Sequence, residues 1–136
     1  MLTARTEQIP VREQQDIVSV RQVVRSWCLT LGLGLVDLTK FVTAASEIAR
    51  NTVEYGGGGT LVLEELRDGL RVGVRLVFED QGPGIPDIER ALTDGYTTGT
   101  GMGLGLGGTR RLVDEFDISS TPGAGTRVAI TKWKTR

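Results

Sequence analysis

Glu79-Asp80-Gln81-Gly82-Pro83-Gly84-Ile85-Pro86 is the stretch on which the reading of the chain turns. It follows Leu70 to Phe78, an alternating apolar run with the period of a strand. Gly and Pro then stop the strand abruptly. Asp80 is left at a strand end, facing a turn without side chains at Gly82 and Gly84. Glycine lets the backbone approach a flat ligand closely and take positive φ. Pro83 and Pro86 stiffen the turn, and Pro86 suits the first turn of a following helix. A tight strand-to-helix turn with an acidic cap would explain this stretch by itself. A second glycine cluster downstream and a polar helix face upstream argue for more.

Working outward, Thr60 to Leu66 and Leu70 to Glu79 are expected as two strands joined at Arg67-Asp68-Gly69. Upstream, Thr6 to Val11 reads as a short strand. Asp16 to Leu31 reads as a helix capped by Asp16 and ended by Gly32. A second helix is expected from Val36 to Tyr55, capped by Asp37, with Gly56 to Gly59 as a loop. Downstream, Pro86 to Leu92 is expected as a short helix and Asp94 to Gly101 as a mobile loop. A helix from Met102 or Gly103 to Glu115 follows. Ile118 to Ser120 and Thr126 to Trp133 are expected as strands around Pro122-Gly123-Ala124-Gly125. Hairpin-like pairs interleaved with helices give an α+β two-layer sandwich, a mixed β-sheet with helices packed on one face. The length of 136 residues suits a single domain spanning residues 1–136.

Composition narrows the chemistry. The chain has no histidine, which excludes Ser-His-Asp and Cys-His nucleophiles, histidine-bound zinc and a phosphohistidine intermediate. Any general base must be Asp, Glu, Lys or Tyr. Cys28 is the only cysteine, so no internal disulfide can form. A net charge of −1 gives no broad electrostatic reason to bind nucleic acid. Arg5, Glu7, Arg12 and Glu13 interrupt the N-terminus, and no run of eighteen apolar residues occurs. The expectation is a cytoplasmic protein with no membrane partner.

Three further pieces carry chemistry. Gly99-Thr100-Gly101-Met102-Gly103-Leu104-Gly105-Leu106-Gly107-Gly108 is a glycine-rich loop opening a helix, which presents amides to an anion such as phosphate. No strand precedes it and no Gly-Lys-Ser/Thr occurs, so neither the dinucleotide fingerprint nor the P-loop fits. Glu47 and Asn51 lie four apart and share one helix face. They offer a base and a neutral oxygen suited to Mg²⁺, which takes few protein ligands when phosphates supply the rest. Gly125-Thr126 places a hydroxyl at the start of the last strand.

Together these motifs resemble the ATP-binding fold shared by gyrase, Hsp90, histidine kinases and MutL (the GHKL group). Within it they are similar to the RsbT family, small serine kinases of bacterial partner-switching systems. Glu47-Ile48-Ala49-Arg50-Asn51 resembles that family's N-box, Asp80 to Asp87 its first glycine box, and Gly99 to Gly108 its lid and second glycine box. Gly125-Thr126 resembles its terminal motif. The resemblance implies that Glu47 is the catalytic base, that Asn51 ligates Mg²⁺ and that Asp80 binds the adenine amino group of ATP. It implies that Gly82 and Gly84 shape the adenine pocket and that Gly101, Gly103 and Gly105 cradle phosphates. Arg50, Ile85, Thr98, Gly99, Met102, Leu104 and Thr126 complete the nucleotide-binding set. Implied partners are STAS-domain antagonist proteins of the RsbS or RsbR type and a PP2C-type phosphatase of the RsbU type. Two departures stand out: Tyr55 occupies the region where many anti-sigma relatives have His, and Gly95 to Gly101 carries no Lys or Arg. Two other readings stay open, a nucleotide-gated binding module without kinase activity and an anti-sigma factor kinase that sequesters a sigma subunit.

Overall fold

The structure is a computed structural model that describes residues 1–85, 88–92 and 106–135. The described order is β1 (Leu2–Val11), α1 (Gln14–Leu31), α2 (Leu35–Glu54), β2 (Gly59–Asp68), β3 (Arg71–Asp80), α3 (Ile88–Ala91), α4 (Leu106–Arg111), β4 (Glu115–Thr121) and β5 (Gly125–Trp133). The strands form one sheet in the order β1-β2-β3-β5-β4. Three cross-strand rows of alternate residues point to the helices. Glu7-Leu63-Leu76-Ile130-Phe116 and Ile9-Leu61-Phe78-Val128-Ile118 are mainly apolar. The third row, Val11-Gly59-Asp80-Thr126-Ser120, lies at one end of the sheet and turns polar. Trp27 of α1 and Phe41 and Ile48 of α2 are buried with the first two rows in a single core. The opposite face of the sheet carries the ion pairs Arg75–Glu64 and Arg127–Glu79.

The two-layer α+β architecture is as expected, but every neighbouring strand pair is antiparallel, so the sheet is not mixed. The excursion between β3 and β4 does return the chain in the direction of β3. β5 then inserts between them, and the parallel relation never becomes a ladder.

Helix starts differ from expectation for tertiary reasons. Asp16 is not the cap of α1. It sits at the third helical position, where one carboxylate oxygen accepts the amides of Arg12 (2.9 Å) and Glu13 (3.0 Å). These amides hold its carboxyl below the ordinary value. Gly34, not Asp37, caps α2. Asp37 instead meets the buried Lys132 at 3.6 Å, and Lys132 meets Asp114 at 3.4 Å. The helix expected to run to Glu115 ends at Arg111, because Asp114 already bonds to β5 through Thr131 O and Trp133 N. Glu115 and Phe116 are therefore strand residues. β1 begins at Leu2 rather than Thr6, and Pro10 is tolerated there because β1 is an edge strand. The β2–β3 turn is Gly69-Leu70, with Gly69 at φ 61°, so Leu70 belongs to the turn. The expected loop Asp94 to Gly101, the helix start at 102–105 and residues 86–87 lie outside the described residues.

Gly59 fixes how closely β2 approaches β3 beside Asp80. A Cβ there would fall on the Glu79 carbonyl. We predict that Gly59→Ala lowers stability by about 1–3 kcal/mol, the usual cost of overpacking, measured as a shift in the urea midpoint. An unchanged midpoint would show that the strands have slack at this row.

Candidate active site

The polar row of the sheet, the C-terminal end of α2 and the Asp80–Ile85 turn close around one cavity. Its lining is Ile48, Asn51, Thr52, Tyr55, Phe78, Asp80, Ile85, Leu106, Thr126 and Val128, and it encloses about 350 Å³, part of it open to solvent. Three α2 residues and its C-cap reach it because 48, 51, 52 and 55 follow the helical period and share one face. Ile48 and Phe78 are 1% exposed and join the cavity to the core.

Asp80 is the polar centre. Its Oδ1 accepts the amide of Gly82 at 2.9 Å, a local Asx turn, and that of Thr126 at 3.2 Å across the β3–β5 ladder. Among the described residues Oδ2 accepts no protein hydrogen bond. Gly56 lies directly behind the carboxylate, where a Cβ would collide with it. A Cβ on Gly82 would stand 2.6 Å from the Gly56 carbonyl oxygen, so the two glycines pack back to back. Gly84 takes φ 76°, and its turn is tied down by the Gly123 amide donating to the Pro83 carbonyl at 2.8 Å. Burial pushes the Asp80 carboxyl above its ordinary value of 3.8, and the Gly82 and Thr126 amides offset part of that.

Asn51, Asp80, Ile85 and Thr126, all singled out from sequence, line this cavity. Gly82 and Gly84 form the turn at its edge. Glu47 lies one turn before Asn51 on α2, about 6 Å along the axis, and is not in the lining. Its Oε1 pairs with Arg50 Nη1 at 2.7 Å, and both side chains are part-exposed. Thr98, Gly99, Gly101, Met102, Gly103, Leu104 and Gly105 lie outside the described residues; Leu106, just after them, is a cavity wall. Sequence reasoning passed over Ser120 and Gly56, and saw Tyr55 only as a departure from relatives. No sequence signal marks Ser120; the β4–β5 register places that hydroxyl opposite Thr126.

The donor set fits a purine nucleotide. Apolar walls suit a flat ring, and a carboxylate oxygen to which no described residue donates suits an exocyclic amino group. Among the described residues no group of three acidic or thiol side chains gathers to hold a metal ion. A magnesium ion here would take protein oxygen from Asn51 and the rest from phosphate and water.

The family model "Histidine kinase-, DNA gyrase B-, and HSP90-like ATPase" matches residues 36–136. Serine/threonine-protein kinase RsbT of Bacillus subtilis is 42% identical over 92% of this chain and 94% of its own. The chain belongs to the histidine kinase-, DNA gyrase B- and HSP90-like ATPase family, in its RsbT branch. The anti-sigma F factor of a Thermoanaerobacter species is a more distant relative of this ATPase family member, 29% identical over 89% of the chain and 87% of that protein. The fold also matches the crystal structure of RsbU and RsbW domains from Mycobacterium tuberculosis, with a TM-score of 0.67 and 22% identity. That match covers 98% of this chain and 34% of the other. Among the described residues no helix is long and apolar enough to cross a membrane.

For this ATPase-family site the raised Asp80 pKa sets a pH dependence. The folded state binds the Asp80 proton more tightly than the unfolded chain does. The stability this contributes is complete below about pH 4 and is lost as pH rises through the folded-state value. Asp80→Asn keeps an oxygen for the two amides and removes the titration. We predict that the variant gains on the wild type as pH rises from 4 and then levels off. Urea midpoints that stay parallel from pH 4 to 8 would contradict this.

Proposed function

We propose that the protein is an ATP- and Mg²⁺-dependent protein serine/threonine kinase of a partner-switching system. Its substrate is a hydroxyl on a STAS-domain antagonist of the RsbS or RsbR type. When free of that antagonist it binds and activates a PP2C-type phosphatase of the RsbU type. The observation that carries the reading is the Asp80 carboxylate in the lining of a largely apolar cavity shared with Asn51, its Oδ1 held by two amides and its Oδ2 given no donor by the described residues. The 42% identity to a named serine/threonine-protein kinase supports the reaction class.

In this reading Asp80 Oδ2 accepts the adenine amino group and Thr126 assists at the same edge. Ile48, Phe78, Ile85 and Val128 exclude water from the ring. The phosphates extend toward Asn51, and Gly101, Gly103 and Gly105 are assigned the amides that cradle them. Magnesium bound at Asn51 supplies charge neutralisation on the phosphates. Phosphoryl transfer asks little covalent chemistry of the protein, so positioning dominates. Glu47, outside the base cavity but on the same helix, accepts the proton of the incoming hydroxyl, and Arg50 fixes its carboxylate.

The 29% identity to an anti-sigma F factor favours one second reading, in which the kinase also sequesters a sigma subunit. Capture of a sigma subunit by the purified protein would support that reading, and failure to capture any would remove it.

Asp80→Asn puts an amide nitrogen where the adenine amino group needs an acceptor. ATP affinity should fall by about 1–3 kcal/mol, the cost of an unpaired polar contact, in a protein that still unfolds cooperatively. Wild-type affinity in calorimetry would remove Asp80 from the adenine site.

Glu47→Ala should keep ATP and antagonist binding but slow single-turnover transfer to a STAS protein by about 10²–10⁴, the usual worth of a general base. Transfer at the wild-type rate would exclude Glu47 as the base. Absence of transfer by the wild type to any STAS protein of its own genome would reject the kinase reading.

A further inference from the structure

Two side-chain hydroxyls hold one peptide of the glycine turn. Tyr55 Oη, from the C-cap of α2, donates to the Gly84 carbonyl at 3.1 Å. Ser120 Oγ, from β4, accepts the Ile85 amide at 2.7 Å. The Gly84 carbonyl and the Ile85 amide belong to the same peptide unit, so that unit is held at both poles from two separate elements. Glycine at φ 76° leaves its plane poorly determined by local sterics. The hydroxyls supply what the glycine does not.

The held peptide carries Ile85, which is 7% exposed and forms a wall of the cavity. Ser120 extends the connection further. Its Oγ lies 3.0 Å from Thr126 Oγ1 and 3.1 Å from the Gly125 carbonyl. Ser120 has one proton and already accepts from Ile85. If it donates to Gly125, the Thr126 hydroxyl donates to Ser120 and offers lone pairs to the cavity. If it donates to Thr126, the Thr126 proton is free for the cavity. The Thr126 amide meanwhile holds Asp80 Oδ1. A chain of contacts therefore runs Tyr55, Gly84–Ile85, Ser120, Thr126, Asp80 around one edge of the cavity.

We infer that Tyr55 and Ser120 are positioning residues that determine base specificity, by clamping the Gly84–Ile85 peptide and orienting the Thr126 hydroxyl. The inference rests on the reading of this cavity as a nucleotide site. A base lies against Ile85 on its face and against Asp80 and Thr126 on its edge. Adenine offers a donor amino group beside an acceptor ring nitrogen, whereas guanine offers an acceptor oxygen beside a donor ring nitrogen. Discrimination then requires a fixed wall and a fixed hydroxyl direction. Loss of either clamp residue relaxes both, and the cost falls on adenine, the base that the set arrangement fits.

The test compares ADP and GDP binding by displacement of a fluorescent ADP analogue, in the full chain without added metal. Tyr55→Phe and Ser120→Ala should each weaken ADP by about tenfold, the loss of one hydrogen bond. GDP should weaken less, so the ADP-to-GDP preference falls by at least about threefold. The double variant should lose clearly less than the product of the single losses, because both groups act on one peptide. Ser120→Thr, which keeps the hydroxyl, should recover most of the preference. Equal losses for ADP and GDP, with the ratio unchanged, would show that the two hydroxyls only support the fold and would overturn the proposal. Additive losses would overturn the single-clamp account. If the wild type binds neither nucleotide, it is the nucleotide-site reading beneath the proposal that fails.

Discussion

A carboxylate kept at the edge of an apolar cavity is the constraint around which this fold is arranged. Asp80 can hold that place because two amides meet one of its oxygens, and each amide comes from a different level of structure. The Gly82 amide is local and needs only the turn after β3. The Thr126 amide is non-local and needs β5 in register beside β3. Burial still wins over these amides, so the carboxyl is raised rather than lowered. The site therefore holds its charge at a cost in stability, which is common where function rather than folding sets the residue. The surrounding glycines follow from the same constraint. Gly56 and Gly82 leave no room for side chains because backbone and carboxylate already fill it.

α2 joins core and site in one element. Its buried residues Leu38, Phe41, Ala45, Ile48 and Ala49 fasten it to the sheet. Asn51, Thr52 and Tyr55 then fall at the cavity by periodicity alone, while Glu47 and Arg50 emerge on the exposed side as an ion pair. A rigid helix thus sets the distance between the base-reading end and the proposed proton acceptor. Far from the cavity, Lys132 joins the first turn of α2 to β5 and to the turn after α4 through Asp37 and Asp114. That contact fixes the other end of the helix against the sheet.

The sequence was most legible where one residue type does one local job. Asp80 after an alternating run, Asn51 one turn beyond Glu47, and Gly32 as a helix stop could all be read from spacing. Caps were less legible. An aspartate serves equally well before a helix or in its first turn, and both Asp16 and Asp37 stand in the first turn. Asp37 is drawn off by Lys132, whose position no local pattern reveals. Strand direction was less legible: hairpin-like pairs left room for a mixed sheet, and only the placement of β5 between β3 and β4 makes every ladder antiparallel. Ser120 escaped notice because it is one of three successive hydroxyl residues, Ser119-Ser120-Thr121, and nothing local singles it out. Its role exists only once Ile85 and Thr126 are brought to it.

β5 follows β4 in the chain yet lies between β3 and β4 in the sheet. The helical hairpin and the β2–β3 hairpin close over short stretches of chain, whereas Asp80 and Thr126 meet across 46 residues. Closing a contact of that separation costs more chain entropy than closing a hairpin. The Thr126 amide reaches the Asp80 carboxylate only where β5 is in register beside β3. A ligand that requires Asp80 and Thr126 together can recognise only the finished sheet. It can hold the folded chain closed, but it cannot guide the chain toward that state.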